Sequence, residues 1–215
     1  MSNHKIMKAH VIAHAMARGE GWHISSDSWY WRLEAKTLGR IWNKGVRMMR
    51  SVEGSRNRCF RLPGLTIVHG FTELRDFEAM REYGDEIREH FRPKLGVEAE
   101  SLSLWMSVVV GIHKRRGDYR SWKGGIYFYE DSVYDRLMNE MRDCLKGKAV
   151  QFKVFSDENA KRSAEEDQHL MSQCDYIIGP PSTFSTWASF MGKVPLLHIM
   201  DKDQKVRLCD FRMQW

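Results

Sequence analysis

Three basic residues follow one another at the end of an apolar run in the second half of the chain. Residues 106–112 predict a buried strand, and His113-Lys114-Arg115-Arg116-Gly117-Asp118 comes directly after them. An arginine guanidinium is a planar fork of N–H donors that can hold two phosphate oxygens, and it keeps its charge at physiological pH. The segment therefore predicts a diphosphate site, and the alternative is a solvated basic loop.

A second polar segment, Phe155-Ser156-Asp157-Glu158, follows the next predicted strand, which is formed around residues 150–154. A carboxylate at this place matches the two N–H donors on the edge of a guanine ring, a pair that adenine lacks. The alternative is a helix cap, because Ser and Asp before a helix accept hydrogen bonds from its free N–H groups.

A third segment, Gly179-Pro180-Pro181-Ser182-Thr183-Phe184-Ser185, follows a further predicted strand and leads into a helix. Hydroxyl groups, free backbone N–H groups and the positive end of the helix dipole together suit phosphate. Capping alone explains one of the three hydroxyl residues. Phosphate binding and capping both remain open for this segment.

Apolar runs and helical patterns alternate along the second half of the chain and place these three segments. Predicted strands cover residues 106–112, 150–154, 175–179 and 194–199, and predicted helices cover residues 133–145, 159–172 and 184–191. Strands separated by single helices form a parallel α/β sheet of Rossmann type with helices on both faces, and ligands bind at the carboxyl ends of its strands. All three polar segments fall there.

The first half of the chain shows mainly helical patterns. Apolar residues recur at helical spacing at Ile6, Ala9, Ala13 and Met16, and again at Phe77, Met80, Ile87 and Phe91 before Pro93. We therefore predict two domains, a helix-rich N-terminal lobe over residues 1–98 and a domain over residues 99–215 that contains the parallel sheet and the predicted diphosphate site.

Composition narrows the class of protein. The chain has 215 residues, of which 42% are hydrophobic and 29% charged, as in a globular protein. It has no apolar run typical of a membrane span or secretory signal, which predicts a cytoplasmic protein.

The net charge of +6 favours anionic partners and fits peripheral association with the inner face of a membrane. The basic residues are scattered and form no nucleic-acid-binding signature, so we expect no nucleic acid partner.

The polar segments resemble the bacterial α-1,2-fucosyltransferase family, glycosyltransferase family 11, and more distantly the α-1,6- and protein O-fucosyltransferases. Residues 113–118, HKRRGD, match the family's HxRRxD motif, and residues 167–190, DQHLMSQCDYIIGPPSTFSTWASF, are similar to its second long motif. The FSDE segment at residues 155–158 agrees in place. The resemblance implies a two-lobed GT-B fold in which residues 99–215 form the nucleotide-sugar-binding domain. It also implies an inverting enzyme that moves fucose from GDP-fucose to a glycan or a lipid-linked oligosaccharide. It also implies that no metal or other cofactor is required.

The resemblance implies roles for individual residues. Arg115 and Arg116 contact the pyrophosphate and stabilise the charge that grows on it as it leaves, which agrees with the chemistry of fixed cations. His113 and Asp157, with Ser156, lie near the nucleoside. Asp118 orients the loop. The phosphates are flanked by Ser182, Thr183, Phe184 and Ser185.

The general base and the acceptor site are predicted from weaker patterns. Two residues are candidates for the base, Glu73 and His69, and His69 lies at the end of the strand predicted at residues 65–68. The resemblance implies that this segment faces the donor-binding lobe. Tryptophans in the first lobe suit either sugar stacking or core packing: Trp22, Trp29, Trp31 and Trp42. His10 and His14 have helical spacing but no third ligand, so no metal site is expected.

Family members begin with a strand and a glycine-rich GxGNQ loop, whereas this chain opens with Met1-Ser2-Asn3-His4 and a helix. The resemblance therefore implies a shortened N-terminal lobe, for which two explanations stay open: a chain that starts late relative to a natural protein, or a reduced relative with altered activity. Absence of the glycine-rich loop leaves one alternative to an active fucosyltransferase, a GDP-sugar-binding relative without turnover. The positive net charge leaves a second, less favoured alternative, a basic protein that binds nucleic acid.

Overall fold

A computed structural model describes residues 2–17, 19, 58–62, 65–69, 75–92, 107–158 and 162–215 of the chain. The chain divides into two compact units, the first formed mainly by Asn3–Phe91 and the second mainly by Arg92–Gln214. The predicted domain limits at residues 98 and 99 stay a prediction, because residues 93–106 lie outside the described ranges. Within those ranges, no helix is long and apolar enough to cross a membrane.

The first unit contains three helices and a hairpin among its described residues. Helix α1 is Ser2–Ala17, strands β1 and β2 are Arg58–Leu62 and Leu65–His69 and pair antiparallel, and helices α2 and α3 are Phe77–Glu82 and Gly84–His90. The single helix predicted around residues 77–91 is in fact two, separated at Tyr83.

Asp76 connects α2 to α1 within this unit. Its carboxylate caps α2 by accepting the Ala79 N–H at 2.9 Å, and it also accepts a hydrogen bond from His14 Nδ1 at 2.7 Å. His10 Nδ1 donates to the Asp76 carbonyl at 3.1 Å. The two histidines at helical spacing thus contact the same residue of the helix start.

The second unit alternates strands and helices in the predicted order. Its elements are β3 Ser107–Lys114, α4 Asp131–Cys144, β4 Ala149–Ser156, α5 Ala164–Met171, β5 Tyr176–Gly179, α6 Thr183–Gly192 and β6 Leu196–His198. The four strands form one parallel sheet in the order β4-β3-β5-β6. The prediction of a parallel α/β sheet is confirmed.

Successive residues of each strand point to opposite faces of the sheet, and each face has its own apolar cluster. Val110 and Ile178 pack with Leu137 and Met141 of α4 on one face. Val109 and Ile177 pack on the other face, with Leu170 and Met171 of α5 and Ala188 of α6. Helices therefore cover both faces, as the near-continuous apolar strands predict.

Helix α5 begins later than predicted because of a capping box. The Ser163 hydroxyl accepts the Glu166 N–H at 3.2 Å, and the Glu166 carboxylate accepts the Ser163 N–H at 2.7 Å. These reciprocal bonds fix the helix start at Ala164. The earlier part of the predicted helix, residues 159–161, lies outside the described residues.

The strand order places the three polar segments together. The chain passes from β3 to β4 on one side and then returns to β5 on the other side of β3, so the order reverses between β3 and β5. In a doubly wound sheet, the carboxyl ends of the strands open a crevice at this reversal. The segments after β3 and β5 line its two sides, and the segment after β4 lies next to them.

Candidate functional site

His113 lies at the carboxyl end of β3 and is buried, with only 4% of its surface exposed. Gly179 of β5 comes so close that an added Cβ would stand 2.8 Å from the His113 Cβ. The imidazole packs beside the Phe184 ring, with 5.2 Å between the ring centroids. Burial lowers the pKa of His113 to about 3, and the charge of Arg115 contributes to this, so the ring is neutral at physiological pH.

Arg115 is held by carboxylates on both sides and still reaches solvent. Its Nη1 is 3.1 Å from Asp157 Oδ2 and its Nη2 is 2.9 Å from Asp118 Oδ1, and 33% of the side chain is exposed. The guanidinium also lies over the Tyr119 ring at 5.6 Å. An arginine has five N–H donors, so these contacts fix the group and leave donors for a ligand.

Arg116 points away from Arg115, toward α4, and is 5% exposed. Its Nη1 donates to the Tyr129 carbonyl at 2.5 Å, and its Nη2 contacts the Asp131 carboxylate. The guanidinium carbon lies 5.3 Å and 5.8 Å from the ring centroids of Phe128 and Tyr134. These contacts anchor the loop after β3. The diphosphate contact expected of Arg116 stays a prediction.

Asp157, just after β4, connects the end of this strand to the loop after β3. Its Oδ1 accepts the main-chain N–H of Arg116 at 2.8 Å, while its Oδ2 contacts Arg115. A Cβ added at Gly117 would stand 3.0 Å from the same carboxylate. The adjacent Ser156 hydroxyl accepts the Glu158 N–H at 3.2 Å and closes a local turn. The nucleoside contacts predicted for Asp157 and Ser156 are not tested by these bonds.

The start of α6 is capped by a serine but contains no acidic residue. The Ser182 hydroxyl accepts the Phe184 N–H at 3.2 Å, and the hydroxyls of Ser185 and Thr186 donate to the Ser182 carbonyl at 3.1 and 2.9 Å. Thr183 is exposed. The first turn of α6 contains no acidic residue that would neutralise the positive end of the helix dipole. The cap therefore occupies the Ser182 hydroxyl, the Ser185 and Thr186 hydroxyls are bonded to the Ser182 carbonyl, and the dipole stays available to an anion.

Tyr119 joins the arginine loop to the start of α6. Its hydroxyl donates to the Pro181 carbonyl at 2.5 Å, and burial raises the pKa of this phenol. The residue was missed by sequence reasoning, and its only signal is its place directly after Asp118. Through this bond the two sides of the crevice hold a fixed spacing.

Several predicted residues have no described side chain. Glu73 lies outside the described residues, as do Trp22, Trp29, Trp31 and Trp42. Only the backbone of His69, at the end of β2, is described. Across the described ranges, no group of three or more His, Cys, Asp or Glu side chains could hold a metal ion. Metal-independent chemistry stays a prediction.

Comparisons with known proteins give one distant relative. No family model matches the chain, and no solved structure matches it. The chain is 27% identical over 145 residues to galactoside alpha-(1,2)-fucosyltransferase 1 of Rattus norvegicus, and the match covers 56% of this chain. It covers 38% of the rat enzyme's own length. This distant similarity gives weak support to a fucosyltransferase-like glycosyltransferase, in agreement with the motifs.

Proposed function

We propose that this chain is a glycosyltransferase of fucosyltransferase type that binds GDP-fucose at the carboxyl edge of its parallel sheet and transfers fucose to a glycan hydroxyl. The observation that carries the proposal is Arg115, which two carboxylates hold in a partly exposed position at the point where the strand order reverses. A cation fixed before the ligand arrives is suited to a diphosphate leaving group.

The two sides of the crevice supply complementary donors for the diphosphate. Arg115 offers a charged guanidinium, and α6 offers the positive end of its dipole, which no acidic residue of its first turn neutralises. The hydrogen bond from the Tyr119 hydroxyl to the Pro181 carbonyl holds the arginine loop at a fixed distance from the start of α6. Donors that are already oriented stabilise developing charge without reorganising during the reaction.

The proposed reaction breaks the bond between the sugar C1 and the diphosphate oxygen, whose electron pair leaves with GDP. The acceptor hydroxyl attacks C1 from the opposite face, and its proton passes to a base, for which Glu73 and His69 remain the candidates. His113, whose ring is neutral, and the Asp157 carboxylate are proposed to face the nucleoside, and Asp118 is proposed to orient Arg115. The two-lobed GT-B architecture belongs to the same proposal.

The experiment compares GDP affinity of the wild-type chain with that of Arg115→Ala, by calorimetry in EDTA. Loss of charged hydrogen bonds worth about 1.5–3 kcal/mol should weaken binding by roughly 10- to 100-fold. Arg142→Ala is the matched control, because it removes the same charge from the last turn of α4, where Arg142 packs on Phe152 at 4.8 Å. The control should bind GDP within about twofold of wild type.

Equal GDP affinity in wild type and Arg115→Ala would contradict the proposal. A transfer assay with GDP-fucose and galactoside glycans then separates the enzyme from the alternative. GDP binding without transfer to any acceptor would favour a GDP-sugar-binding relative that lacks turnover.

A further inference from the structure

Arg120 is the most exposed of the four cations in the segment from Lys114 to Arg120. Its side chain is 63% exposed, against 33% for Arg115, while Lys114 and Arg116 are largely buried. Lys114 and Arg116 both contact the Asp131 carboxylate at the start of α4. Two of the four cations therefore hold the segment to α4, and Arg115 and Arg120 are the two that reach solvent.

Two contacts hold the Arg120 guanidinium in place. Its central carbon lies 4.7 Å from the centroid of the Phe128 ring, and its Nη2 donates to Glu158 Oε1 at 3.1 Å. Stacking on an aromatic ring orients the planar fork without using its N–H groups. An arginine has five such donors, so the bond to Glu158 leaves donors for a ligand.

Arg115 and Arg120 contact adjacent residues at the end of β4. Arg115 Nη1 is 3.1 Å from Asp157 Oδ2, and Arg120 bonds to Glu158, the next residue of the chain. The Cα atoms of adjacent residues are about 3.8 Å apart, so both guanidiniums lie at the same corner of the carboxyl edge. Because an arginine side chain is long and changes rotamer about several bonds, Arg120 can exchange Glu158 for an anion bound at Arg115.

The bond between Arg120 and Glu158 is one that an anionic ligand can displace. Both side chains are more than half exposed, and exposed ion pairs contribute little free energy because water and salt screen them. A diphosphate carries more than one negative charge and gains another as it leaves, so a single arginine does not neutralise it. A phosphate oxygen is therefore a better partner for Arg120 than the Glu158 carboxylate.

We propose that Arg120 is a second diphosphate-binding arginine, which leaves Glu158 and contacts the phosphate oxygens of the donor beside Arg115. This inference rests on the proposed function, since it assumes that the crevice takes a nucleoside diphosphate. It assigns a ligand contact to a residue outside the HxRRxD motif, and it makes Glu158 a competitor of the ligand for that residue.

The test measures the affinity of two probes, GDP and inorganic pyrophosphate, by calorimetry in EDTA for wild type, Arg120→Ala, Glu158→Gln and the double variant. Arg120→Ala should bind both probes roughly three- to tenfold more weakly, the loss of one charged hydrogen bond. Glu158→Gln should bind both about two- to threefold more tightly, because it releases Arg120. The double variant should lose this gain and match Arg120→Ala, since the two side chains act through one contact.

Two controls separate ligand binding from general charge and from stability. Arg142→Ala removes an arginine that lies over the Phe152 ring at 4.8 Å, a matched contact in the last turn of α4. This variant should bind both probes within about twofold of wild type. Urea unfolding of Arg120→Ala should give a midpoint close to that of wild type, because the side chain is exposed.

Each outcome separates this inference from the proposed function. Equal affinity of wild type and Arg120→Ala for both probes would overturn the inference and leave the Arg115 site intact. A Glu158→Gln gain that persists in the double variant would also overturn it, since the gain would then act through Arg116, whose Nε is 4.0 Å from Glu158 Oε2, or through the general field. If Arg115→Ala binds both probes as tightly as wild type, the proposed function fails and the inference fails with it.

Discussion

Arg115 and Arg116 are neighbours in the chain, yet replacing each by alanine should affect different properties. Arg116→Ala leaves the buried Tyr129 carbonyl without its donor and removes a cation from the Phe128 and Tyr134 rings. An orphaned carbonyl costs about 1–3 kcal/mol and a buried cation–π contact about 1–2 kcal/mol. The partner Asp131 is 67% exposed, so its ion pair adds little.

We therefore expect Arg116→Ala to lower the free energy of unfolding by about 2–5 kcal/mol and the melting temperature by roughly 4–20 °C. Arg115→Ala removes a side chain that is 33% exposed, and Asp157 keeps its bond from the Arg116 N–H, so the cost should be about 0–1 kcal/mol. Urea unfolding followed by circular dichroism measures both variants. An Arg115→Ala loss as large as that of Arg116→Ala would refute this reasoning.

Three further predictions concern the carboxyl edge of the sheet and the start of α5. Gly179→Ala should destabilise by about 1–3 kcal/mol, because its Cβ meets the His113 backbone oxygen at 2.9 Å, whereas Gly111→Ala meets the softer Cys174 Sγ at 3.1 Å and should cost less by urea unfolding. Because burial holds the pKa of His113 at about 3, against 6.5 when unfolded, the unfolded chain binds a proton between these values that the folded chain does not. The free energy of unfolding should thus fall with decreasing pH, by up to about 1.4 kcal/mol per unit for this group, and His113→Gln should flatten the slope between about pH 7 and pH 5. An unchanged slope would contradict the neutral burial of His113. Ser163→Ala should lower the melting temperature, since the capping box contributes about 0.5–2 kcal/mol, and Ser163→Thr should restore most of it.

The strand and helix order of the second unit was predictable because its apolar pattern is local and strong. Four apolar runs, each separated by one helical pattern, admit few arrangements other than a parallel sheet. The first and last residues of the helices were less predictable. The break at Tyr83 lies inside a continuous helical pattern, and the start of α5 depends on a capping box that periodicity does not reveal.

Strand-end reasoning found Arg115, Asp157 and Ser182 but could not give their orientations. The opposite directions of Arg115 and Arg116 follow from partners elsewhere in the chain, Asp157 just after β4 and Asp131 at the start of α4. His198, at the end of β6, also stands at a strand end, but only the sheet register sets it beside Gly179. Contacts of this kind become visible only once the strands are paired.

The most direct test of the central claim is thermal stabilisation by nucleotides in the presence of EDTA, because a ligand that binds only the folded state raises the melting temperature. GDP, GDP-fucose, GDP-mannose, UDP and ADP would be compared at equal concentration. We expect GDP and its sugar conjugates to raise the melting temperature, and UDP and ADP to leave it nearly unchanged. No shift with any nucleotide, or an equal shift with UDP and ADP, would contradict a GDP-sugar site at the edge of this sheet.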